Sequence, residues 1–210
     1  GEELDRIGYR GAAPCPGIPP RAFIELHIEQ GPLLEDEGIT IGTVTGVQGI
    51  SWTEYSIKGQ SNHAGTTPMH LRHDAGYVAA RITTEARDIT ERMGGRQVAT
   101  VGRMQFQPDL VNVVAREAQL TVDLRNTDES LLVNAENQMK SCISSLEESE
   151  GVTIDSRSLA RFEPVVFDTE VVDIISETCS QLGHSSMTMP SGAGHDAQML
   201  ARVCPTGMIF

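Results

Sequence analysis

The chain carries a histidine and a glutamate two residues apart, His27 and Glu29, in the segment AFIELHIE over residues 22–29. If that segment is a β-strand, both side chains project to the same face, so an imidazole and a carboxylate point toward one place. Imidazole is a ligand that Zn, Cu, Fe and Ni accept. A solvated or hydrogen-bonded strand face explains the same pair, because two such residues alone are not a metal signature.

A second candidate lies in the run SGAGHDA over residues 191–197. Gly192 and Gly194 make a flexible turn, whose backbone N–H groups can bind an anion. His195 follows at the predicted start of a short helix. It is therefore either a ligand aimed by the turn or a residue that caps the helix, and Asp196 beside it suits a helix N-terminus.

A third histidine, His63, lies in the loop SNHAGTTP over residues 61–68, between a predicted strand and a predicted helix. Loops that a rigid scaffold positions often carry function. His63 can donate a hydrogen bond to an oxyanion. The alternative is an ordinary turn whose asparagine and threonines satisfy their own backbone.

Asn112 and Arg125 lie near the facing ends of two predicted strands joined by a short link. Adjacent antiparallel strands would bring them together, and an amide with a guanidinium fork is a natural clamp for a substrate carboxylate. Arg125 can equally form a surface ion pair with Asp123 or Asp128. Both interpretations remain open from the sequence.

The strand that carries His27 predicts how the first site is placed. Its apolar residues alternate with its polar ones, so we expect one face in the core and the other face toward the site. The residues expected in the core are Ala22, Ile24, Leu26 and Ile28.

The middle of the chain shows a different pattern. It follows a predicted strand over 39–47 and the glycines Gly46 and Gly49, which we expect to form a hinge. The predicted elements are a strand near 52–58, a helix near 74–93, strands near 97–106 and 116–124, a helix near 129–148 and a strand near 152–160. This β-α-β-β-α-β order is typical of a ferredoxin-like unit. Asp128 and Gly151 mark the ends of the second helix.

The flanking segments, 1–48 and 165–210, each predict pieces of an α/β layer. We therefore predict an α/β fold in which one discontinuous domain, 1–48 and 165–210, is interrupted by a complete insert over 49–164. The chain begins with glycine and ends in an apolar run. We expect it to be a fragment of a longer protein.

Composition narrows the classes of partner. Among 210 residues, 16 Lys and Arg stand against 29 Asp and Glu, for a net charge of −13. That field repels phosphate backbones and anionic lipid surfaces, so we expect neither a nucleic-acid nor a membrane partner. The four cysteines are scattered without a C-x-x-C pair, which favours a reducing, cytoplasmic location.

Four motifs in order carry a resemblance: ELHIEQGP over 25–32, NHAGTTPM over 62–69, the pair Asn112 and Arg125, and SGAGHDA over 191–197. The chain closely resembles the amidase/hydantoinase/carbamoylase branch of the M20 metallopeptidase family. That branch includes N-carbamoyl-L-amino-acid hydrolases, allantoate amidohydrolases and β-ureidopropionases. The similarity runs through nearly the whole chain.

The resemblance implies a two-domain enzyme. A zinc-peptidase-like catalytic domain, partial here over 1–48 and 165–210, would be interrupted by a lid over 49–164 that also forms a homodimer. The resemblance further implies two divalent metal ions per subunit, with zinc first and Mn, Co or Ni as alternatives. His27 would ligate one ion and His195 the other.

The resemblance also implies roles in substrate binding. Gln30 would contact the amide or ureido group, and His63 would reach from the lid into the partner subunit's active site to polarise the scissile carbonyl. The groups implied for the substrate carboxylate are Asn112, Arg125 and backbone N–H groups near Gly192 and Gly194. The implied reaction is hydrolysis of a linear C–N bond in an N-carbamoyl-L-amino acid or a ureido acid such as allantoate.

The chain departs from the family pattern in one respect. Family members carry an upstream His-x-Asp motif and a Glu-Glu pair that complete the metal site, and no histidine here is followed two residues later by Asp. We therefore expect this chain alone to be inactive. The alternatives are an M20 aminoacylase or dipeptidase, which usually has an acidic ligand in place of His27, and a non-catalytic dimerisation or binding module.

Overall fold

The computed structural model describes residues 1–13, 17–18 and 20–210, and it has a mixed α/β fold with two separate β-sheets. Cys15 lies outside the described residues, whereas Cys142, Cys179 and Cys204 are free thiols. Within the described ranges, no helix combines the length and apolar character needed to cross a membrane.

The first sheet begins in the N-terminal part of the chain. The elements there are helix α1 (Glu2–Arg6), strand β1 (Phe23–Leu26), helix α2 (Leu33–Glu37) and strand β2 (Ile41–Val47). The two strands were predicted from the sequence, whereas the two five-residue helices were not. Acidic residues in the first turns of both helices suit the positive end of the helix dipole.

A four-stranded antiparallel sheet occupies the middle of the chain. Its elements are β3 (Gly49–Lys58), α3 (Ala75–Met93), β4 (Val98–Gln107), β5 (Glu117–Asn126), α4 (Glu129–Glu150) and β6 (Thr153–Phe162). The strands lie in the order β4-β5-β3-β6, and both helices share one hydrophobic core with them. The predicted β-α-β-β-α-β order is confirmed. As expected, the Asp128 carboxylate accepts from the first turn of α4, and Gly151, with φ of 62°, ends that helix.

The chain then returns to the first sheet. The last elements are β7 (Val165–Val166), α5 (Thr169–Gln181), β8 (Ser186–Ser191), α6 (Asp196–Leu200) and β9 (Thr206–Ile209). Strand β2 pairs in parallel with β8 on one edge and antiparallel with β9 and β7 on the other. Strand β1 pairs in parallel with β9, so both ends of the chain build this sheet.

The predicted core face of β1 is wrong. Ile24, Leu26 and Ile28 are exposed by 53%, 78% and 70%, while Phe23 on the other face packs against the core. The reason lies in the neighbours of this strand. Among the described residues β1 is an edge strand that pairs with β9 alone, and α6 contacts β1 at Glu25, on the polar face. The polar residues of β1 are therefore directed into the structure.

Two glycines allow the segments that connect the sheets to pass side by side. A Cβ atom on Gly46 would lie 2.3 Å from the carbonyl oxygen of Val165, and one on Gly49 would lie 2.7 Å from Cδ of Pro164. Real Cβ atoms do not approach so closely. The glycines predicted as a hinge therefore have a packing role, because they let the backbone of residues 163–165 contact the β2–β3 connection.

We expect Gly46→Ala to lower the free energy of unfolding by about 1–3 kcal/mol, because the added methyl group must displace a backbone carbonyl. Chemical denaturation of the purified protein measures this change. Gly102→Ala is the matched control, since nothing lies within 4 Å of the position its Cβ would take. Equal denaturation midpoints for the two variants would contradict the packing role of Gly46.

Candidate metal and substrate site

Among the described residues, Glu25, His27 and His195 form a cluster that can hold a metal ion. One ligand atom from each residue lies within 4.8 Å of the others. The two imidazole rings are 4.6 Å apart between centroids, with their planes at 65°. Strand β1 and its continuation supply the first two residues, and the turn before α6 supplies the third. The two histidines predicted as ligands therefore lie together, and their ligand role stays a prediction.

The surroundings of His195 favour its neutral imidazole. Its side chain is 2% exposed, and its Nε2 atom lies 2.7 Å from Oγ of Ser191. Burial, and secondarily the neighbouring His27, lower the pKa of His195, while Glu25 and Asp196 oppose the shift. A neutral imidazole keeps the lone pair that a metal ion requires.

Glu25 connects strand β1 to the segment that carries His195. Its Oε2 atom accepts a hydrogen bond of 2.6 Å from the backbone N–H of Ala197, at the start of α6. Its Oε1 atom lies 3.8 Å from Nδ1 of His195. Sequence reasoning placed Glu25 on the same strand face as His27 but did not select it. Its spacing of two residues from His27 is a signal that Glu29 shares, so spacing alone does not choose between the two glutamates.

Glu29, the carboxylate first paired with His27, has a different role. Its two oxygen atoms accept hydrogen bonds of 2.9 Å from the backbone N–H groups of Leu33 and Leu34. These bonds satisfy the first turn of α2, whose N–H groups have no partner within the helix. Glu29 is therefore engaged in starting α2, and Glu25 is the carboxylate that lies against the histidines.

A cavity of about 360 Å³ lies beside the cluster. It is lined in part by Gln30, Arg125 and Gly192, three of the residues predicted to contact substrate. Phe210 also lines it, and the Phe210 ring centroid lies 6.1 Å from that of His195. The structure thus brings together the two predicted metal ligands and half of the predicted substrate contacts.

Arg125 makes the ion pair that the sequence left as the alternative. Its Nε and Nη2 atoms donate to the carboxylate of Asp123 at 2.7–3.1 Å, and its Nη1 atom donates to the carbonyl oxygen of Gly192. The guanidinium also lies 5.7 Å from the centroid of the Trp52 ring. Arg125 therefore connects the four-stranded sheet to the 191–197 turn. Gly194 does not line the cavity and packs near Gln198.

His63 and Asn112 lie at the other end of the four-stranded sheet. The backbone N–H of Ala64 donates to the carbonyl oxygen of Asn112 at 2.9 Å, and His63 pairs with Val113 in an isolated bridge. Asn112 precedes β5 and Arg125 is its penultimate residue. The ten residues of that strand span about 30 Å. The expectation that adjacent strands bring Asn112 and Arg125 together within one chain is therefore wrong.

Residues 1–210 match peptidase family M20/M25/M40. The N-carbamoyl-L-amino-acid amidohydrolase of Rhizobium meliloti is 37% identical over 210 residues, which are 100% of this chain and 50% of that protein. The allantoate amidohydrolase of Escherichia coli (strain K12) is 38% identical over 190 residues, covering 90% of this chain and 46% of that protein.

The fold is also similar to that of a solved structure. The amidase of the hydantoinase/carbamoylase family from Burkholderia multivorans superposes with a TM-score of 0.92 at 40% identity, covering 100% of this chain and 51% of that one. The chain spans about half the length of the curated relatives it matches.

We expect Glu25→Gln to weaken Zn²⁺ binding by about tenfold or more, since residues that ligate or orient ligands have effects of that size. The new amide keeps an oxygen that can accept the Ala197 N–H, so the fold should be preserved. Isothermal titration calorimetry with Zn²⁺ on the intact protein measures the affinity. Glu29→Gln is the control, because that carboxylate accepts hydrogen bonds from the first turn of α2. Equal Zn²⁺ affinity in wild type and Glu25→Gln would contradict the assignment.

Proposed function

Because the chain belongs to peptidase family M20/M25/M40, we propose that it is part of a metal-dependent amidohydrolase that cleaves a linear C–N bond in an N-carbamoyl-L-amino acid or a related ureido acid such as allantoate. The family resemblance predicted from the four motifs is confirmed. The observation that carries the proposal is the meeting of Glu25, His27 and His195 beside the cavity that contains Gln30 and Arg125.

The residues of the cluster fit divalent metal ions. Two imidazoles and one carboxylate form a donor set that Zn, Mn, Co and Ni accept. The cluster accounts for one ion; on the family resemblance we propose two ions per subunit, with His27 ligating one, His195 the other and zinc the first choice. When bound, such ions polarise a carbonyl group and make water acidic enough to attack it at neutral pH.

The groups in the cavity would orient the substrate. The Gln30 amide can both donate to and accept from a ureido group. Arg125 has five N–H donors, and its bonds to Asp123 and Gly192 leave one N–H on each terminal nitrogen. Those two donors suit a substrate carboxylate, which would share the guanidinium with Asp123. Residues 1–48 and 165–210 would then form the catalytic domain.

We further propose that residues 49–164 act as a lid and as the contact between two copies of the chain. His63 is exposed and lies at the end of the four-stranded sheet away from the metal cluster. A second copy can supply His63 and Asn112 to a site that one chain does not complete. Exposed apolar side chains of Leu110 and Val111 at that end suit burial against a partner.

The three free thiols in the described part of the chain suit a reducing compartment, and we propose a cytoplasmic location. No observation in the described residues favours the alternatives of an aminoacylase, a dipeptidase or a non-catalytic module. The named relatives act on carbamoyl and ureido compounds. The 210-residue chain by itself stays predicted to be inactive, so activity is assayed in the intact protein.

We expect the intact protein, loaded with Zn²⁺, Mn²⁺ or Co²⁺, to release ammonia and product from at least one N-carbamoyl-L-amino acid or from allantoate. His27→Ala and His195→Ala should each lower kcat/KM by about 100-fold or more, because each removes a ligand of the activating metal. His184→Ala, a change of an exposed histidine, is the control. Cleavage of N-acetyl amino acids or dipeptides alone would contradict the proposed substrate class.

A further inference from the structure

The hydrogen bond that Nδ1 of His63 accepts determines which ring nitrogen carries the proton in the neutral form. The backbone N–H of Gly65 donates a hydrogen bond of 3.0 Å to Nδ1 of His63. A backbone N–H can only donate, so Nδ1 must carry a lone pair. In the neutral imidazole the proton then resides on Nε2. The exposed side of the ring is therefore a hydrogen-bond donor.

Arg72 holds the peptide group that makes this bond. Its Nη2 atom donates to the carbonyl oxygens of Ala64 and Thr67 at 2.6 and 3.0 Å, and its Nε atom donates to Thr67 at 3.1 Å. The carbonyl of Ala64 and the N–H of Gly65 belong to one planar peptide unit. A guanidinium fixed on that oxygen consequently fixes the direction of the N–H that points at His63.

The loop is anchored on its other side as well. The N–H of Ala64 donates to the carbonyl of Asn112, and the N–H of Val114 donates to the carbonyl of Asn62. These backbone bonds hold residues 62 and 64 against the 112–114 segment. They leave the orientation of the peptide between residues 64 and 65 to Arg72, the one side chain bonded to both Ala64 and Thr67 in the described part of the chain.

We propose that Arg72 is a positioning residue for His63. Its hydrogen bonds to the carbonyls of Ala64 and Thr67 hold the Gly65 N–H in the direction of Nδ1. The neutral ring then carries its proton on Nε2, where it can donate to the scissile carbonyl. The part that concerns the scissile carbonyl rests on the proposed function. Neutral Nε2–H stabilises the charge that develops on that oxygen without itself losing a proton.

The tautomer is tested without substrate. The ring ¹⁵N resonances of His63 in the intact protein, assigned by their loss in His63→Gln, should show the neutral form with the proton on Nε2. In Arg72→Met the resonances should shift toward a mixture of the two tautomers. A wild-type ring protonated on Nδ1, or an unchanged tautomer in Arg72→Met, would overturn the proposal.

Kinetics test the consequence for catalysis. Arg72→Met should lower kcat/KM by about 10- to 100-fold, mainly in kcat, as expected when a transition-state donor is misplaced. Arg72→Lys should recover part of the loss, because one ammonium can hold one of the two carbonyls. If Arg72→Met fails to fold, the rate and tautomer of Arg72→Lys test the same role. Wild-type kcat in a folded Arg72 variant would overturn the role in catalysis.

Arg116→Met is the matched control, since Arg116 lies at the same end of the sheet and its side chain, within the described residues, bonds to Gln107 and Glu117 and not to the 62–67 loop. It should keep the wild-type tautomer and rate. If the intact protein cleaves no ureido or carbamoyl substrate, the proposed function fails. The ¹⁵N spectra still decide whether Arg72 sets the tautomer, so the two failures are distinguishable.

Discussion

One hydrogen bond joins the two halves of the candidate metal site. The Glu25 carboxylate on β1 accepts the N–H of Ala197 at the start of α6, across 172 positions of sequence. It depends on the parallel pairing of β1 with β9, which follows α6 directly and sets Glu25 opposite Met208. With α6 against the polar face of β1, the rings of His27 and His195 come within 4.6 Å of each other. The burial that lowers the pKa of His195 follows from the same packing.

The length of the four-stranded sheet is the second constraint. Its ten-residue strands place Arg125 beside the 191–197 turn and His63 at the opposite end. In one chain, Arg125, proposed to bind the substrate carboxylate, and His63, proposed to donate to the scissile carbonyl, are too far apart to serve one site. A symmetric pair of chains resolves this, because each sheet can then reach the cavity of its partner. The residue roles that the family resemblance implies therefore favour the proposal that a second copy of the chain supplies His63 and Asn112.

Much of the fold was predictable because local patterns and helix caps agree with it. Local patterns located β1, β2 and the strands of the middle sheet. Helix α4 begins after Asp128 and ends at Gly151, as expected. Alternation cannot say which face of an edge strand is covered, since that depends on α6, which is distant in sequence. For this reason the apolar face of β1 was wrongly placed in the core. Strand β8 was missed because its alternating methionines, Met187 and Met189, are too short a signal beside the glycine-rich turn.

The candidate site was predictable in its histidines but not in its carboxylates. The choice between Glu25 and Glu29 depends on whether a helix begins at Leu33, since that helix engages Glu29. The choice for Arg125 depends on tertiary contacts: Asp123, two residues away on the same strand face, takes one edge of the guanidinium, and the carbonyl of the distant Gly192 accepts from Nη1. Spacing identifies which residues can meet, and only the tertiary contacts decide which of them do.

The most direct test of the central claim is an anomalous-scattering measurement at the zinc edge on crystals of the intact protein grown with Zn²⁺. A peak at about 2.0–2.1 Å from a ring nitrogen of His27, with a second at that distance from His195, is the predicted result. Anomalous density elsewhere, with neither histidine within bonding distance of zinc, would contradict the account.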